Sequence, residues 1–178
     1  MRIPIRLLVL VTLIVPMPVQ GQSAQRLSVQ GSGALLFGSR LESAFEGKTR
    51  LGYEAQVRYT ASRLSVGAGY QRSTVYSFVA DDVEFSAALS LGFLEPRYVV
   101  AAGDRAAAYL AGRLGYGTLT CSEACNASDG YVTYGGGGGL LVLLSGRSAL
   151  DIGAQYFSSK DTFASGYLLL RLGLSVGL

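Results

Sequence analysis

Residues 50–60 read Arg-Leu-Gly-Tyr-Glu-Ala-Gln-Val-Arg-Tyr-Thr, and their side chains alternate in character from one position to the next. The odd-numbered positions from 51 to 59 are aliphatic or aromatic, whereas the even-numbered positions are polar, charged or glycine. Successive side chains of a strand point to opposite faces of a sheet. This stretch is therefore predicted to form a β-strand with one apolar and one polar face.

The same period of two recurs along the rest of the chain. In residues 168–178, leucine or valine occupies every even-numbered position, and Arg171 lies between two of them. We count eight such segments, at residues 27–37, 50–60, 64–70, 85–100, 110–116, 132–144, 150–156 and 168–178.

The connections between these segments alternate in length. Tight connections are predicted at residues 61–63, 101–105 and 145–147, and longer, more polar ones at residues 39–49, 73–84, 121–130 and 158–165. Strands joined alternately by tight turns and long loops are typical of an all-β, eight-stranded antiparallel up-and-down barrel. An even number of strands leaves both termini at the tight-turn end.

The apolar face of this barrel is predicted to point outward, into lipid. Only 15% of the 178 residues are charged and 49% are hydrophobic, which is too little charge to cover a soluble domain. The polar parity consists mostly of Gly, Ser, Gln and Thr, whereas the apolar parity is bulky and nearly free of charge in the middle of each strand. This pattern indicates a transmembrane β-barrel.

Tyrosines lie near the strand ends on the apolar parity. Aromatic rings at two heights are typical of the girdles found at membrane–water interfaces. The candidate aromatic girdle consists of Tyr53, Tyr59, Tyr70, Tyr98, Tyr116, Tyr134 and Tyr156.

The inward face is predicted to contain a structural charge network. Eight strands enclose only enough space for side chains, and unpaired charges there would be costly. We therefore expect ion pairs to fill the lumen, without a wide aqueous pore. The seven candidate residues are Glu54, Arg58, Glu95, Arg97, Arg113, Asp151 and Arg171.

The segment 85–100 does not fit a single alternation. Apolar residues occupy the odd positions as far as Phe93 and the even positions from Leu94 onward. A bulge between Gly92 and Leu94 would bring both sets to the lipid side, and Pro96 is consistent with an irregular ladder. Without that bulge, one of the two sets must point into the lumen.

The N-terminus matches a secretory signal peptide. Arg2 and Arg6 precede a short aliphatic run and small residues at its exit, and the run is too short for a bilayer helix. We predict a cleaved signal peptide at residues 1–21 and a β-barrel domain at residues 22–178; cleavage after Ala24 is the alternative.

Two cysteines, Cys121 and Cys125, lie in one predicted loop. Because an exported chain meets an oxidising compartment, a local disulfide between them is the prediction, and two free thiols are the alternative. Two thiolates without histidine cannot complete a zinc site, so no metal and no cofactor are predicted.

The composition also excludes several functions. The chain has no histidine, so it contains no imidazole base and no histidine triad. After the signal peptide, the chain has 13 basic and 12 acidic residues, so its net charge is close to zero. It has no cluster of basic residues, which argues against a nucleic-acid partner. Gly135–Gly139 lies within a predicted strand and lacks the Gly-Lys-Ser/Thr of a phosphate loop, so these glycines are interpreted as space for large neighbours.

The chain resembles the small eight-stranded outer-membrane barrels of Gram-negative-type bacteria, of the OmpA transmembrane-domain, OmpX and opacity-protein kind. The resemblance covers the whole precursor and includes FLEPRY at residues 93–98, YLAGRLGY at 109–116, YGGGGG at 134–139 and LDIGAQY at 150–156. It implies the bacterial outer membrane as the location. The implied partners are outer-membrane lipids, including lipopolysaccharide, and the outer-membrane assembly machinery, with a monomer as the expected state.

The resemblance also implies a class of function. Resemblance to the enzymes among outer-membrane barrels would imply a catalytic histidine. This chain has no histidine, so we predict that it is not an enzyme. The expected function is a contribution to envelope integrity, or the presentation of surface loops for adhesion or ligand contact. A narrow channel for small solutes is the first alternative, and a soluble periplasmic lipid-binding barrel of calycin type is the second.

Overall fold

Eight antiparallel strands close into one barrel in the computed structural model, which describes residues 27–38, 50–80, 83–121, 130–159 and 166–178. Each strand pairs with the next along the chain, and the last pairs with the first, which confirms the predicted up-and-down barrel. Among the described residues, no helix is long and apolar enough to cross a bilayer. The strands are β1 (Leu27–Gly38), β2 (Arg50–Ala61), β3 (Leu64–Ala80), β4 (Val83–Ala102), β5 (Ala106–Cys121), β6 (Tyr131–Leu143), β7 (Ser148–Ser159) and β8 (Tyr167–Gly177).

The barrel has two different ends. At one, which we call the turn end, tight connections join β2 to β3, β4 to β5 and β6 to β7, as the sequence predicted. Ser62 adopts a left-handed φ of 56° in the first of these turns, and Gly103 N donates to Ala106 O at 2.8 Å in the second. We call the opposite end the loop end.

The connection between β3 and β4 is shorter than predicted. We expected a loop over residues 73–84, but β3 continues to Ala80 and β4 begins at Val83. The reason lies in the β-branched and aromatic residues of this segment, such as Val75, Tyr76 and Phe78, which favour a strand. The loop was predicted because this segment also contains serines and acidic residues, which are common in loops.

The predicted bulge between Gly92 and Leu94 is wrong. The strand pairs β3–β4 and β4–β5 keep an unbroken register through these residues, and the ladder shifts instead at Val75 and at Val100. As a result Leu91 and Phe93 point into the lumen, where Leu91 is completely buried. The lumen is therefore partly apolar, which the sequence did not predict.

Glycines on the neighbouring strands explain how these apolar side chains fit inside. A Cβ added to Gly69 of β3 would lie 2.7 Å from Phe93 Cζ, and one added to Gly115 of β5 would lie 2.8 Å from Leu91 Cδ1. Real Cβ atoms do not approach so closely, so these positions must lack a side chain. The glycines thus make room for large neighbours across the strand ladder.

Gly139 of β6 provides a test of this packing. An added Cβ would lie 2.7 Å from Tyr109 Cζ and would also press on the Ile152 carbonyl oxygen. We expect Gly139→Ala to lower the free energy of unfolding by about 1–3 kcal/mol, because the ring must move within a filled lumen. Urea titration of the refolded barrel in micelles measures this change.

The matched control is Gly31→Ala on the outward face of β1. Nothing lies within 4 Å of a Cβ added there, so its effect should be about 0.5 kcal/mol or less in either direction. Equal losses in the two variants would contradict the claim that Gly139 makes space for Tyr109.

Several predictions fall on residues that the structure does not describe. The signal peptide at residues 1–21 and both candidate cleavage sites precede residue 27, so the domain boundary stays a prediction. Cys125 also lies outside the described residues, and only the backbone of Cys121 is described, at the end of β5. The disulfide therefore stays a prediction.

Candidate functional site

The lumen contains the seven charged residues that the sequence predicted to face inward. They come from five strands, and each is at most 6% exposed to solvent. Alternation along each strand brings them to one face, and closure of the sheet turns that face into an interior. The seven are Glu54 and Arg58 of β2, Glu95 and Arg97 of β4, Arg113 of β5, Asp151 of β7 and Arg171 of β8.

Glu95 lies at the centre of this network and contacts four arginines. Its Oε1 accepts from Arg97 Nε at 2.7 Å and from Arg58 Nη2 at 2.8 Å. Its Oε2 accepts from Arg113 Nε at 2.9 Å and from Arg171 Nη1 at 3.1 Å. A single carboxylate thus connects strands β2, β4, β5 and β8 through hydrogen bonds to charged groups, which are stronger than neutral ones.

Glu54 and Asp151 form two further centres of the network. Arg113 Nη1 donates to Glu54 Oε1, and Arg171 Nη1 reaches Glu54 Oε2 at 3.3 Å. Asp151 accepts from Arg97 Nη1 at 2.8 Å, and its Oδ2 lies 3.7 Å from Arg171 Nε. All three carboxylates are therefore paired with arginines, which offsets the cost of burying charge.

Neutral residues complete the network, and sequence reasoning did not assign them to it. Tyr109 OH donates to Asp151 Oδ1 at 2.6 Å, Gln30 Nε2 donates to Asp151 Oδ2 at 2.7 Å, and Gln155 Nε2 donates to Glu95 Oε2 at 2.9 Å. Tyr109 has the same parity as Arg113 and Gln155 the same parity as Asp151. The alternation of the sequence therefore already placed both side chains on the inward face.

Aromatic rings flank two of the arginines. The Arg113 guanidinium carbon lies 3.9 Å from the centre of the Phe93 ring, and that of Arg97 lies 4.5 Å from the centre of the Tyr109 ring. Such cation–π contacts are attractive, and more so where water is excluded. Phe93 therefore both fills the lumen and stabilises the charge beside it.

A cluster of buried apolar residues lies toward the loop end of the lumen. Phe157 stacks on Tyr167 with ring centres 4.9 Å apart, and both side chains are buried. The cluster contains Ala34, Leu36, Leu89, Tyr131, Phe157, Tyr167 and Leu169. The described lumen thus has an apolar cluster toward the loops, where Arg50 is also buried, and the seven-residue charge network below it.

The outer surface has the opposite character. The leucines Leu51, Leu110, Leu114 and Leu172 are each more than half exposed. Among the described outward positions, Arg72 of β3 is exposed and charged, and it lies two residues beyond Tyr70 toward the loop end. The candidate girdle tyrosines Tyr53, Tyr59, Tyr70, Tyr98, Tyr116, Tyr134 and Tyr156 all lie on this outer face, between 42% and 60% exposed.

The network has the chemistry of a structural core. Within the described part of the chain, no group of His, Cys, Asp and Glu residues is arranged to hold a metal ion. The oxygens of Glu54 and Glu95 are engaged by arginines from several directions. These ion pairs connect different walls of the barrel, and their side chains occupy the space between the walls.

Comparison with known proteins shows the fold. No family model and no curated protein matches this sequence. The structure is similar to Neisserial surface protein A, with a TM-score of 0.66 and 15% identity over 85% of this chain and 96% of that one. It is also similar to the N-terminal β-barrel domain of Pseudomonas aeruginosa OprF, with a TM-score of 0.58 and 13% identity over 86% of this chain and 98% of that one.

A third similar structure contains a ligand. It is Ail, the attachment invasion locus protein of Yersinia pestis, in complex with the heparin analogue sucrose octasulfate. The TM-score is 0.55 at 12% identity, over 85% of this chain and 96% of that one. The eight-stranded fold is therefore that of small outer-membrane β-barrels.

Proposed function

We propose that this chain is a bacterial outer-membrane barrel whose lumen is closed by its charge network and which acts without catalysis. It is exported by a signal peptide at residues 1–21, and the domain at residues 22–178 crosses the membrane with its short turns in the periplasm. It contributes to envelope integrity or presents its loops for adhesion or ligand contact.

The observation that carries this proposal is the inverted distribution of polarity. Charged side chains such as Glu95 and Arg113 are buried, whereas large side chains such as Leu114 and Leu172 are more than half exposed. A barrel in water would expose its charges and bury its leucines, whereas a barrel in lipid does the reverse. The same distribution argues against a soluble calycin-type barrel, which needs a polar outer surface.

The proposed partners follow from the outer surface. The tyrosines at two heights suit the two headgroup regions of a bilayer, where amphipathic rings are favoured. Outer-membrane lipids, including lipopolysaccharide, are thus the proposed surroundings of a monomer, and the outer-membrane assembly machinery is the proposed route of insertion. The chain shares its fold with Ail, which was solved in complex with a heparin analogue, and this supports the proposal that the chain contacts a ligand.

Two arguments support a role without catalysis. The chain contains no histidine to act as a base. In addition, the buried carboxylates are held by arginines, and Glu95 alone accepts from four of them. A catalytic carboxylate needs access to a substrate, and this one is completely buried.

Fractionation of expressing bacteria tests the proposed location. The mature protein should be recovered with outer membranes and should change its gel mobility when heated, because a folded barrel migrates differently from the unfolded chain. Recovery in the soluble periplasm would overturn the proposal.

A conductance measurement distinguishes the proposed closed barrel from the narrow-channel alternative. We expect the wild-type barrel to give no steady ohmic current in a planar lipid bilayer, because the arginines and Phe93 fill the lumen. Arg113→Ala should raise leakage, since it removes the group that lies between Glu54 and Glu95. Robust ohmic currents from the wild-type protein would favour the channel instead.

A further inference from the structure

A cavity of about 130 Å³ lies at the turn end of the lumen, below the charge network. Its walls contain the arginines Arg58, Arg63, Arg97 and Arg147, and no aspartate or glutamate. Ser28, Thr60 and Ser175 add hydroxyl groups to the same walls. The cavity wall thus combines hydrogen-bond donors and positive charge with apolar residues such as Val99, Leu141 and Leu143.

The carboxylates above the cavity do not neutralise this charge. The network holds four arginines against three carboxylates. Glu95 and Asp151, which pair with the two buried arginines of the cavity wall, also pair with Arg171. On the β6–β7 turn, the exposed Arg147 has no ion pair within the described residues. The turn end of the lumen therefore has a positive excess.

Arg58 shows that one donor in this wall is unused. Its Nη1 donates to Ser65 Oγ at 3.1 Å, and its Nη2 donates to Gln56 Oε1 and Glu95 Oε1, both at 2.8 Å. Its Nε is buried and has no hydrogen-bond partner. A buried N–H without a partner costs free energy, so the network does not satisfy the Arg58 guanidinium completely.

We propose that this cavity, whose wall contains four arginines, is a binding site for a phosphate-type oxyanion. Arginine matches the geometry of phosphate oxygens and is the side chain most suited to recognising them. A tetrahedral oxyanion presents oxygens in several directions, which suits donors that converge from β2, β4 and the β2–β3 and β6–β7 turns. A planar carboxylate has only two oxygens and would leave some of these donors unpaired.

The oxyanion has two possible sources. Free phosphate or a soluble phosphate monoester would enter from the aqueous side of the turn end. The phosphate of an anionic lipid headgroup would enter from the membrane surface next to the turns. The site itself is a property of the folded barrel and does not depend on where the barrel resides in the cell.

The Nε–H resonance of Arg58 in the refolded, isotope-labelled full chain is the direct probe. In uncharged micelles, inorganic phosphate added at constant ionic strength should shift this resonance saturably, and acetate should bind several-fold more weakly. If a lipid is the source, the same shift should arise in nanodiscs containing phosphatidylglycerol without added phosphate, and free phosphate should have little effect.

Two exposed arginines on different turns provide a matched pair of variants. Arg147→Gln removes a wall residue and should weaken binding roughly three- to tenfold, the range expected for one exposed, charge-assisted hydrogen bond. Arg105→Gln, on the β4–β5 turn and outside the cavity wall, should leave binding unchanged.

The proposal is overturned if the Arg58 resonance shifts with neither phosphate nor phosphatidylglycerol in the wild-type chain. It is also overturned if the shift is linear and equal in the two variants, since that result indicates general screening. Equal affinity for acetate would contradict the assignment to a phosphate-type ion.

Discussion

Glu95→Gln is expected to lower the free energy of unfolding of the barrel by about 3–5 kcal/mol, the loss seen when one partner of a buried ion pair is removed. The substitution keeps the shape of the side chain but removes the charge that four arginines contact. Four buried guanidinium groups would then face only two carboxylates, Glu54 and Asp151. Urea titration in phospholipid vesicles measures the change.

Asp104→Asn is the matched control for this substitution. Asp104 lies exposed on the β4–β5 turn and makes no ion pair within the described residues. Removing the Asp104 charge should therefore change the free energy of unfolding by about 0.5 kcal/mol or less. Losses of similar size in the two variants would contradict a central role for Glu95.

A double variant separates charge imbalance from lost shape. Among the carboxylates, Arg58 pairs only with Glu95 in the described residues, whereas Arg97 also pairs with Asp151. Arg58→Met in the Glu95→Gln background should therefore cost less than the sum of the two single substitutions. Strict additivity would show that the two side chains do not interact energetically.

Leu172→Arg should destabilise the barrel in a bilayer by about 2–4 kcal/mol, the cost of an arginine on the lipid face at the midplane. Leu172 lies in the middle of β8 on the outward parity, between Gly33 of β1 and Ile152 of β7 in the strand ladder. Its side chain is 58% exposed and makes few protein contacts that the substitution could disturb.

Leu144→Arg is the control at the turn end. Leu144 is also 58% exposed, but it follows the last residue of β6 and lies next to the turn. An arginine near the interface costs only about 0–1 kcal/mol. Equal effects of the two substitutions would mean that the outer face of β8 is not in hydrocarbon.

Alternation, together with the alternating lengths of the connections, was sufficient to predict the barrel and the seven charged residues of the network. Parity along residues 50–60 places Glu54 and Arg58 on one face, and the structure buries both. The ion pairs between strands were beyond the sequence, because parity fixes a face but not the relative height of two strands. Only the register brings Arg113 of β5 to Glu54 of β2.

The apolar lumen layer could not be predicted for a related reason. We expected Leu91 and Phe93 to face lipid because we expected the interior of the barrel to be polar. Whether a leucine fits inside depends on glycines of neighbouring strands, such as Gly69 and Gly115, and on their exact register. Arg50, buried at the loop end of β2, was also missed, although it has the parity of Glu54.

The orientation of the two barrel faces can be measured directly, because the chain contains no tryptophan. A Leu172→Trp variant would place a single fluorophore on the outward face of β8, and a Leu144→Trp variant would place one at the turn end. We predict that lipids brominated along their acyl chains quench the Leu172→Trp variant strongly while aqueous iodide does not, with the reverse for Leu144→Trp. Strong quenching of the Leu172→Trp variant by iodide, without quenching by brominated lipids, would contradict a lipid-facing exterior.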